Sequence, residues 1–489
     1  HMSEIELKFQ IPHNYRAAFE KAFKKNKLVQ QQRLWAKYYD SPEQHLAKQR
    51  IALRQRLEGD IWRQTLKAPS PQHYERFELE HELGHDAPEL CDLACYENHK
   101  QARKILKKAL GGSEVDLTLQ FETDVLRYSQ LAHYKNSQIE VAFDLGEIRQ
   151  GKNSVEIYEV EFELKQGEIA DLIAYIQPWI KKYHLWLDTR SKSQRGNMLY
   201  NNETMIPVQQ QSALPLQHPE NMHELLTQIT QNCLAHLLPN ATAIASQDYA
   251  SGHVHQARVA IRRLRSALKI FAEYDALANN NWESQLATLF QQLSSTRDQD
   301  ALRESLIPQL ENAGSPITEL PPAASENIAI DAIFRSPTTT LLLLQLMSFA
   351  HSVAVADAES KPLKKVLRNR LQKMHQQICD DAGHFQTLDV ESKHRTRKRV
   401  KRLRYTVEFV SNLFAEDDVK TYLKTLKPLQ ETLGHFNDLM VAQGLYESHV
   451  QTEPKTWFVL GWIASEERHI SIQIEQDLQQ FAESQPFWS

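Results

Sequence analysis

Glu4-Ile5-Glu6-Leu7-Lys8-Phe9 alternates charged and apolar residues without a break. Side chains along a β-strand point to alternate faces, so Glu4, Glu6 and Lys8 share one side and Ile5, Leu7 and Phe9 the other. Taken alone, the stretch reads as an edge strand with a solvated charged face. The pattern recurs, however, in Arg76-Phe77-Glu78-Leu79-Glu80 and in Glu159-Val160-Glu161-Phe162-Glu163. Between them, Ile51 to Leu57 sets Arg54 and Arg56 against Ile51, Leu53 and Leu57. Ile61 to Lys67 groups Arg63, Thr65 and Lys67 opposite Trp62 and Leu66. Further strands are expected over 35–39, 115–121, 125–130, 138–145 and 155–164. Helices are expected over 13–27, over 89–110 with a stop at Gly111-Gly112, and over 168–183. Two arrangements stay open on this patterning: an open antiparallel sheet with its polar face in water, or a closed barrel with the charged faces inward. The second makes a tunnel lined by both signs of charge, whose apolar outside needs cover from helices.

With 489 residues the chain is too long for one ordinary core, and two or three domains are expected. The formal net charge of −5 gives no global pull toward nucleic acid. Cys91, Cys95, Cys233 and Cys379 form no CxxC pair. They read as reduced thiols, which points to the cytoplasm. No segment reads as a signal peptide, and His1-Met2 reads as a cloning remnant. The most apolar run, 341–356, is interrupted by Gln345, Ser348 and His351, so a buried helix is expected there and no membrane span.

Beyond a Gln- and Pro-rich stretch at 201–219, strand patterning gives way to helical patterning. His255-Gln-Ala-Arg258-Val-Ala-Ile-Arg262-Arg263-Leu264-Arg265 matches His394-Arg-Thr-Arg397-Lys-Arg-Val-Lys401-Arg402-Leu403-Arg404 at an offset of 139 residues. Leu293 with Arg297-Asp298 matches Leu433 with Asn437-Asp438. The repetition implies two similar helical units. His255, Arg258, Arg262 and Arg265 recur every three or four residues, as do His394, Arg397, Lys401 and Arg404, so each set lines one helical face. A solvated basic face explains one such stripe. Two matched stripes favour an anionic polymer, although no aromatic-interleaved platform or helix-turn-helix points to nucleic acid.

Glu4-x-Glu6-x-Lys8, Tyr39-Asp40, Leu53-Arg54-x-Arg56, Lys67, Arg76-x-Glu78-x-Glu80, Asp144-x-Gly146, Glu159-x-Glu161-x-Glu163 and Ser191-Lys192-x-x-Arg195-Gly196 resemble, in order, the motifs of CYTH domains, the triphosphate tunnel metalloenzymes. The resemblance covers residues 3–200. It implies an eight-stranded antiparallel tunnel, with flanking helices, that binds a triphosphate and Mg²⁺ or Mn²⁺. On that basis Glu4, Glu6, Asp144, Glu159, Glu161 and Glu163 are candidate metal ligands. Lys8, Arg54, Arg56, Arg76, Arg127 and Arg195 are candidate phosphate clamps, and Lys67, Lys192, Glu78 and Glu80 candidate catalytic groups. The Gln55 between the two arginines departs from the usual apolar residue and is expected to face outward.

Residues 220–485, through the paired His-x-x-Arg blocks, resemble the all-α CHAD domain. That resemblance implies two pseudo-symmetric four-helix bundles that bind long-chain polyphosphate, with His255, Arg258, Arg262, Arg265, His394, Arg397, Lys401 and Arg404 as contacts. The fold class expected is therefore multidomain α+β, and the activity an inorganic triphosphatase acting on tripolyphosphate. Hydrolysis of thiamine or nucleoside triphosphates, adenylate cyclisation, and a non-catalytic polyphosphate adaptor are the alternatives.

Overall fold

The computed structural model describes residues 2–69, 75–111, 115–279, 281–293, 296–322, 329–354 and 361–489; the side chains of residues 2–4, 75, 296 and 297 lie outside the description. The chain opens with β1 (Met2–Gln10), β2 (Gln30–Asp40), β3 (Ala52–Glu58), β4 (Ile61–Pro69), β5 (Glu75–Gly84), β6 (Thr118–Tyr134), β7 (Ser137–Gln150), β8 (Asn153–Gln166) and the short β9 (Trp186–Leu187). They form one antiparallel sheet in the order β5-β4-β3-β2-β6-β7-β8-β1-β9. β1 lies against β8 over Ile5–Gln10 and also against β5 over Met2–Ile5, so the order returns on itself. That seam is short beside the β6–β7 ladder, which runs from Glu122 to Tyr134.

The outer face is apolar, as the alternation requires, and helices cover it. Leu53, Leu66 and Phe77 pack with Ala102 and Leu106 of α3 (Lys100–Leu110) and with Leu46 of α2 (His45–Lys48), α1 being Arg16–Lys24. Phe19 and Phe23 of α1 meet Phe143 edge-on at 5.0 and 5.5 Å, and Trp179 of α4 (Ile169–Tyr183) covers Phe162. Gln55 does face outward, yet it is buried. Its amide nitrogen donates to Gln64 Oε1 and to the Leu90 carbonyl, each at 3.1 Å, while its Oε1 has no partner among the described residues.

Several boundaries differ from the sequence expectation, two of them for a visible physical reason. The strands expected at 115–121 and 125–130 are one strand, β6, because Asp124 does not break the ladder. Its carboxylate accepts from Arg33 at 2.8 and 3.0 Å and from Arg149 at 3.1 Å on the neighbouring strands. The helix expected over 89–110 begins only at Lys100, where His99 Nδ1 caps it by accepting the Ala102 amide. It ends at Gly111 in the left-handed region; Gly112 lies outside the described residues.

After α5 (Lys192–Tyr200), residues 201–221 carry neither helix nor strand. The remainder is helical: α6 (Met222–Ala245), α7 (Ser251–Phe271), α8 (Asn281–Gln292), α9 (Thr296–Asn312), α10 (Ile330–Arg335), α11 (Pro337–Ala350), α12 (Leu363–Cys379), α13 (Val390–Val410), α14 (Glu416–Glu447) and α15 (Thr456–Ala482). The chain divides into two compact units. One comprises 1–212, 231–261 and 329–352; the other comprises 213–230, 262–328 and 353–489. In the first, α11 packs on α4, and the Leu-rich run expected to be a buried helix is one. In the second, α12 packs on α13, α13 on α14, α14 on α15, and α15 back on α12: a four-helix bundle. The helices of the first repeat are shared between the two units. No described helix is long and apolar enough to cross a membrane.

Candidate active site

All eight long strands turn charged or polar residues toward one cavity of about 230 Å³. Glu6 and Lys8 reach it from β1, Arg54 and Arg56 from β3, Lys67 from β4, and Arg76, Glu78 and Glu80 from β5. Arg127, Asp144, Glu161 and Glu163 reach it from β6, β7 and β8, and Lys192 enters from α5. Glu159 and Arg195, predicted for the same site, stand outside the lining. The side chain of Glu4 lies outside the described residues.

α5 is what places Lys192. Ser191 caps the helix by accepting the Gln194 amide at 3.0 Å. Gly196 then lets the helix press on β6, where a Cβ would come within 2.0 Å of the Phe121 ring. Phe121 stacks on Tyr38 at 4.6 Å, and with Val125, Ile148, Ile157 and Leu199 of α5 these side chains form an apolar plug inside the ring.

From that anchor the Lys192 ammonium meets three carboxylates, Asp144 at 2.7 Å, Glu161 at 2.8 Å and Glu159 at 3.4 Å. Asp144 and Glu159 are wholly buried. Burial opposes the charge of Asp144, but Arg127 and Lys192 outweigh it and hold the carboxyl below its ordinary range. Glu161 is likewise pushed well down, against burial, by Lys192, Arg127 and Lys8. Glu159 is taken by Lys8 at 3.4 Å and by Arg195 at 3.2 Å, and Arg195 also donates to the Glu156 carbonyl. Arg195 and Glu159 therefore brace the wall from behind.

The rest of the lining carries both signs of charge. Burial works against the Arg54 charge, yet Tyr38 and Glu78 raise its affinity for the proton. Its buried Nε has no hydrogen-bond partner among the described residues. Arg56 donates to Glu58 through Nε at 2.8 Å, and Lys67 stands 3.7 Å from Glu78. Glu80 lies 3.5 Å from Arg63, and Lys165 pairs with Glu163 at 2.9 Å and with Glu140 at 3.5 Å.

Glu140, Lys165 and Tyr38 line the cavity without having been singled out from the sequence. The first two carry the parity of Asp144 and Glu163, a signal that was available. Tyr38 was hidden beside the Tyr39-Asp40 motif.

No group of three or more His, Cys, Asp and Glu among the described residues is arranged to hold a metal ion. The donor chemistry nevertheless fits a divalent cation. Three carboxylates converge on a single positive centre, the Lys192 ammonium, and carboxylate oxygens are the ligands that Mg²⁺ and Mn²⁺ prefer.

A second cationic cluster lies in the helical unit. Burial and the charges of Arg397, Arg262, Arg404 and Arg265 bring Lys401 down to about 7. Five of the eight stripe residues are thereby close enough to sense one another. His394 packs on Phe436 at 5.4 Å, while His255 and Arg258 fall in the other compact unit.

A sheet whose inward face interleaves cations and carboxylates is followed in the chain by helices with repeated basic faces. Residues 2–196 match the CYTH domain and residues 228–447 the CHAD domain, so the chain carries both. An inorganic triphosphatase of Haemophilus influenzae is 32% identical over 203 residues, covering 40% of this chain. The chain spans about half the length of that relative, 55%. Among solved structures, the CHAD domain from the plant Ricinus communis is 27% identical with a TM-score of 0.43, over 56% of this chain and 96% of that one. A crystallised inorganic triphosphatase is 18% identical with a TM-score of 0.14, over 33% of this chain and 74% of that one.

Proposed function

We propose that the lumen hydrolyses inorganic tripolyphosphate to pyrophosphate and phosphate with a divalent metal, and that the helical region binds long-chain polyphosphate. The observation that carries the first reading is the cavity itself, where cations and carboxylates from separate strands share one lumen and the Arg54 Nε–H lacks an acceptor among the described residues. A phosphate oxygen is the acceptor such a donor requires. The similarity to an inorganic triphosphatase supports the same reading.

Phosphoryl transfer depends mainly on positioning and charge neutralisation. Arg54, Arg56, Arg76 and Arg127 bind and orient the non-reacting phosphates, and Lys8 and Lys67 add point charges. Glu78 or Glu80, beside Lys67 and Arg63, orients the attacking water and accepts its proton. Glu6, Asp144, Glu161 and Glu163, with Glu4 from the same strand, would hold the metal, braced by Glu159. When bound, the metal supplies charge neutralisation at the phosphate oxygens. The four thiols are free, which supports a cytoplasmic setting. A phosphate-release panel over tripolyphosphate, thiamine triphosphate, ATP and long polyphosphate, with and without metal, tests the reading. Release confined to an organic triphosphate would replace it.

A further inference from the structure

A second and larger cavity, about 390 Å³, adjoins the lumen inside the first compact unit. Arg76, Ser191 and Ser193 line both cavities, so the two meet beside the N-terminus of α5. That nine-residue helix turns its first amides and the positive end of its dipole toward the junction. The Ser191 and Ser193 hydroxyls stand 2.9 Å from each other there.

Beyond the junction the lining carries Lys48 and Arg50 against one carboxylate, Glu203. The Arg50 guanidinium is drawn below its ordinary value by burial and then by the charge of Arg76, so two like charges face each other. Among the described residues, the Arg50 side chain donates to a neutral amide, Gln209 Oε1, at 3.0 Å. Gln209 is in turn held through its backbone, whose N–H donates to Asn240 Oδ1 and whose carbonyl accepts from Asn240 Nδ2. Asn240 is fully buried. The backbone of Arg50 is itself strained, with φ at 58°, as is that of Gln44 on the same wall. The Gln44 side-chain amide nitrogen is buried with no hydrogen-bond partner among the described residues. Two facing guanidiniums, and an amide donor without an acceptor among the described residues, are both relieved by an anion between them.

We propose that this side chamber is a phosphate subsite that receives the end of a linear polyphosphate longer than three units, with Arg50 as its anchor. The inference rests on the triphosphatase reading of the lumen and deepens it. A tripolyphosphate fills the lumen alone; a longer chain passes Arg76 and the α5 N-terminus and places its next phosphate against Arg50. Among the described lining residues none is aromatic, and those residues offer no stacking surface of the kind a nucleobase uses. Inorganic phosphate is the occupant its charges favour.

Arg50→Ala tests this in the full chain, with Gln209→Ala as a second variant that frees Arg50 without removing it. KM for tetrapolyphosphate should rise about tenfold in Arg50→Ala, the loss of one charge-assisted contact, and less in Gln209→Ala. KM and kcat for tripolyphosphate should stay within about twofold of wild type. Calorimetric binding of both compounds in EDTA needs no turnover. If the wild type hydrolyses neither, the triphosphatase reading fails while the binding comparison still decides the chamber. Equal weakening of tri- and tetrapolyphosphate, or no weakening of either, overturns the proposal. Selective weakening of ATP overturns it in favour of a nucleoside.

Discussion

Arg127 grips Asp144 with two parallel hydrogen bonds, Nε to Oδ1 and Nη2 to Oδ2, each 2.7 Å long, across the β6–β7 ladder. The two residues are cross-strand partners, so the sheet itself delivers the planar guanidinium to the planar carboxylate. Neither could be replaced by a residue of the same charge and different shape without loss.

Asp144→Ala leaves Arg127 and Lys192 buried without this acid. Removing one member of a buried pair costs about 3–5 kcal/mol. The expected result is much faster amide exchange in β6 and β7, measured by mass spectrometry. The pH dependence has a definite sign. Asp144 and Glu161 have carboxyls lowered in the folded state, from ordinary values of 3.8 and 4.5. Their contribution is complete above those values and is lost as pH falls through the lower folded ones. Exchange in the variant should therefore depend less on acid than exchange in the wild type. Identical acid profiles would show that the pair does not set this stability.

Phosphate release should stop in excess EDTA and return with Mg²⁺ or Mn²⁺. Glu6→Gln keeps the size of a side chain in the lumen lining and removes its charge. It should lower release at least tenfold and raise the metal concentration needed, with an unchanged circular dichroism spectrum. Full activity in EDTA would remove the metal from the mechanism.

Lys67→Ala and Lys192→Ala should fail differently. Lys67 stands at the lumen wall, so its loss should cost turnover alone, about 1.5–3 kcal/mol or ten- to a hundredfold. Lys192 also neutralises three carboxylates, so its loss should lower both activity and thermal stability. Unchanged kinetics in both variants would make them ordinary structural lysines.

Long-chain polyphosphate binding should strengthen as pH falls. Lys401, at about 7 in the free protein, gains its proton when an anion offsets the surrounding arginines, so binding takes up a proton above that pH. Calorimetry in two buffers of different ionisation enthalpy would count the proton. Lys401→Met should abolish the uptake. Replacing Arg262, Arg397 and Lys401 together should remove binding in EDTA and spare tripolyphosphate hydrolysis. Survival of binding with unchanged salt dependence would place the polymer elsewhere.

The strand alternation made the inward and outward faces legible before any coordinates. Glu6, Arg54, Lys67, Glu78 and Glu161 all point where period two puts them. What alternation does not encode is height along the barrel, which depends on strand stagger. Glu159 and Glu161 share a face, yet only Glu161 reaches the cavity, because Glu159 sits one step nearer the apolar plug at Ile157. The repeat in α7 and α13 was equally plain, since both helices run 21 residues with the histidine at the fifth position. The division of the first repeat between two compact units was not. It depends on contacts such as α4 with α11, which join residues far apart in the chain.

That contact has a consequence for how the chain is made. α4 ends at Tyr183, but its packing partner α11 starts only at Pro337. A ribosome moving from one end to the other delivers the whole sheet, and then more than a hundred further residues, before the first unit can be completed. In that interval apolar side chains on α4 wait for cover, and a fragment ending near residue 212 would keep them waiting for good. Cutting the gene at the visible linker would yield a whole sheet with a sticky, uncovered helix on its outside.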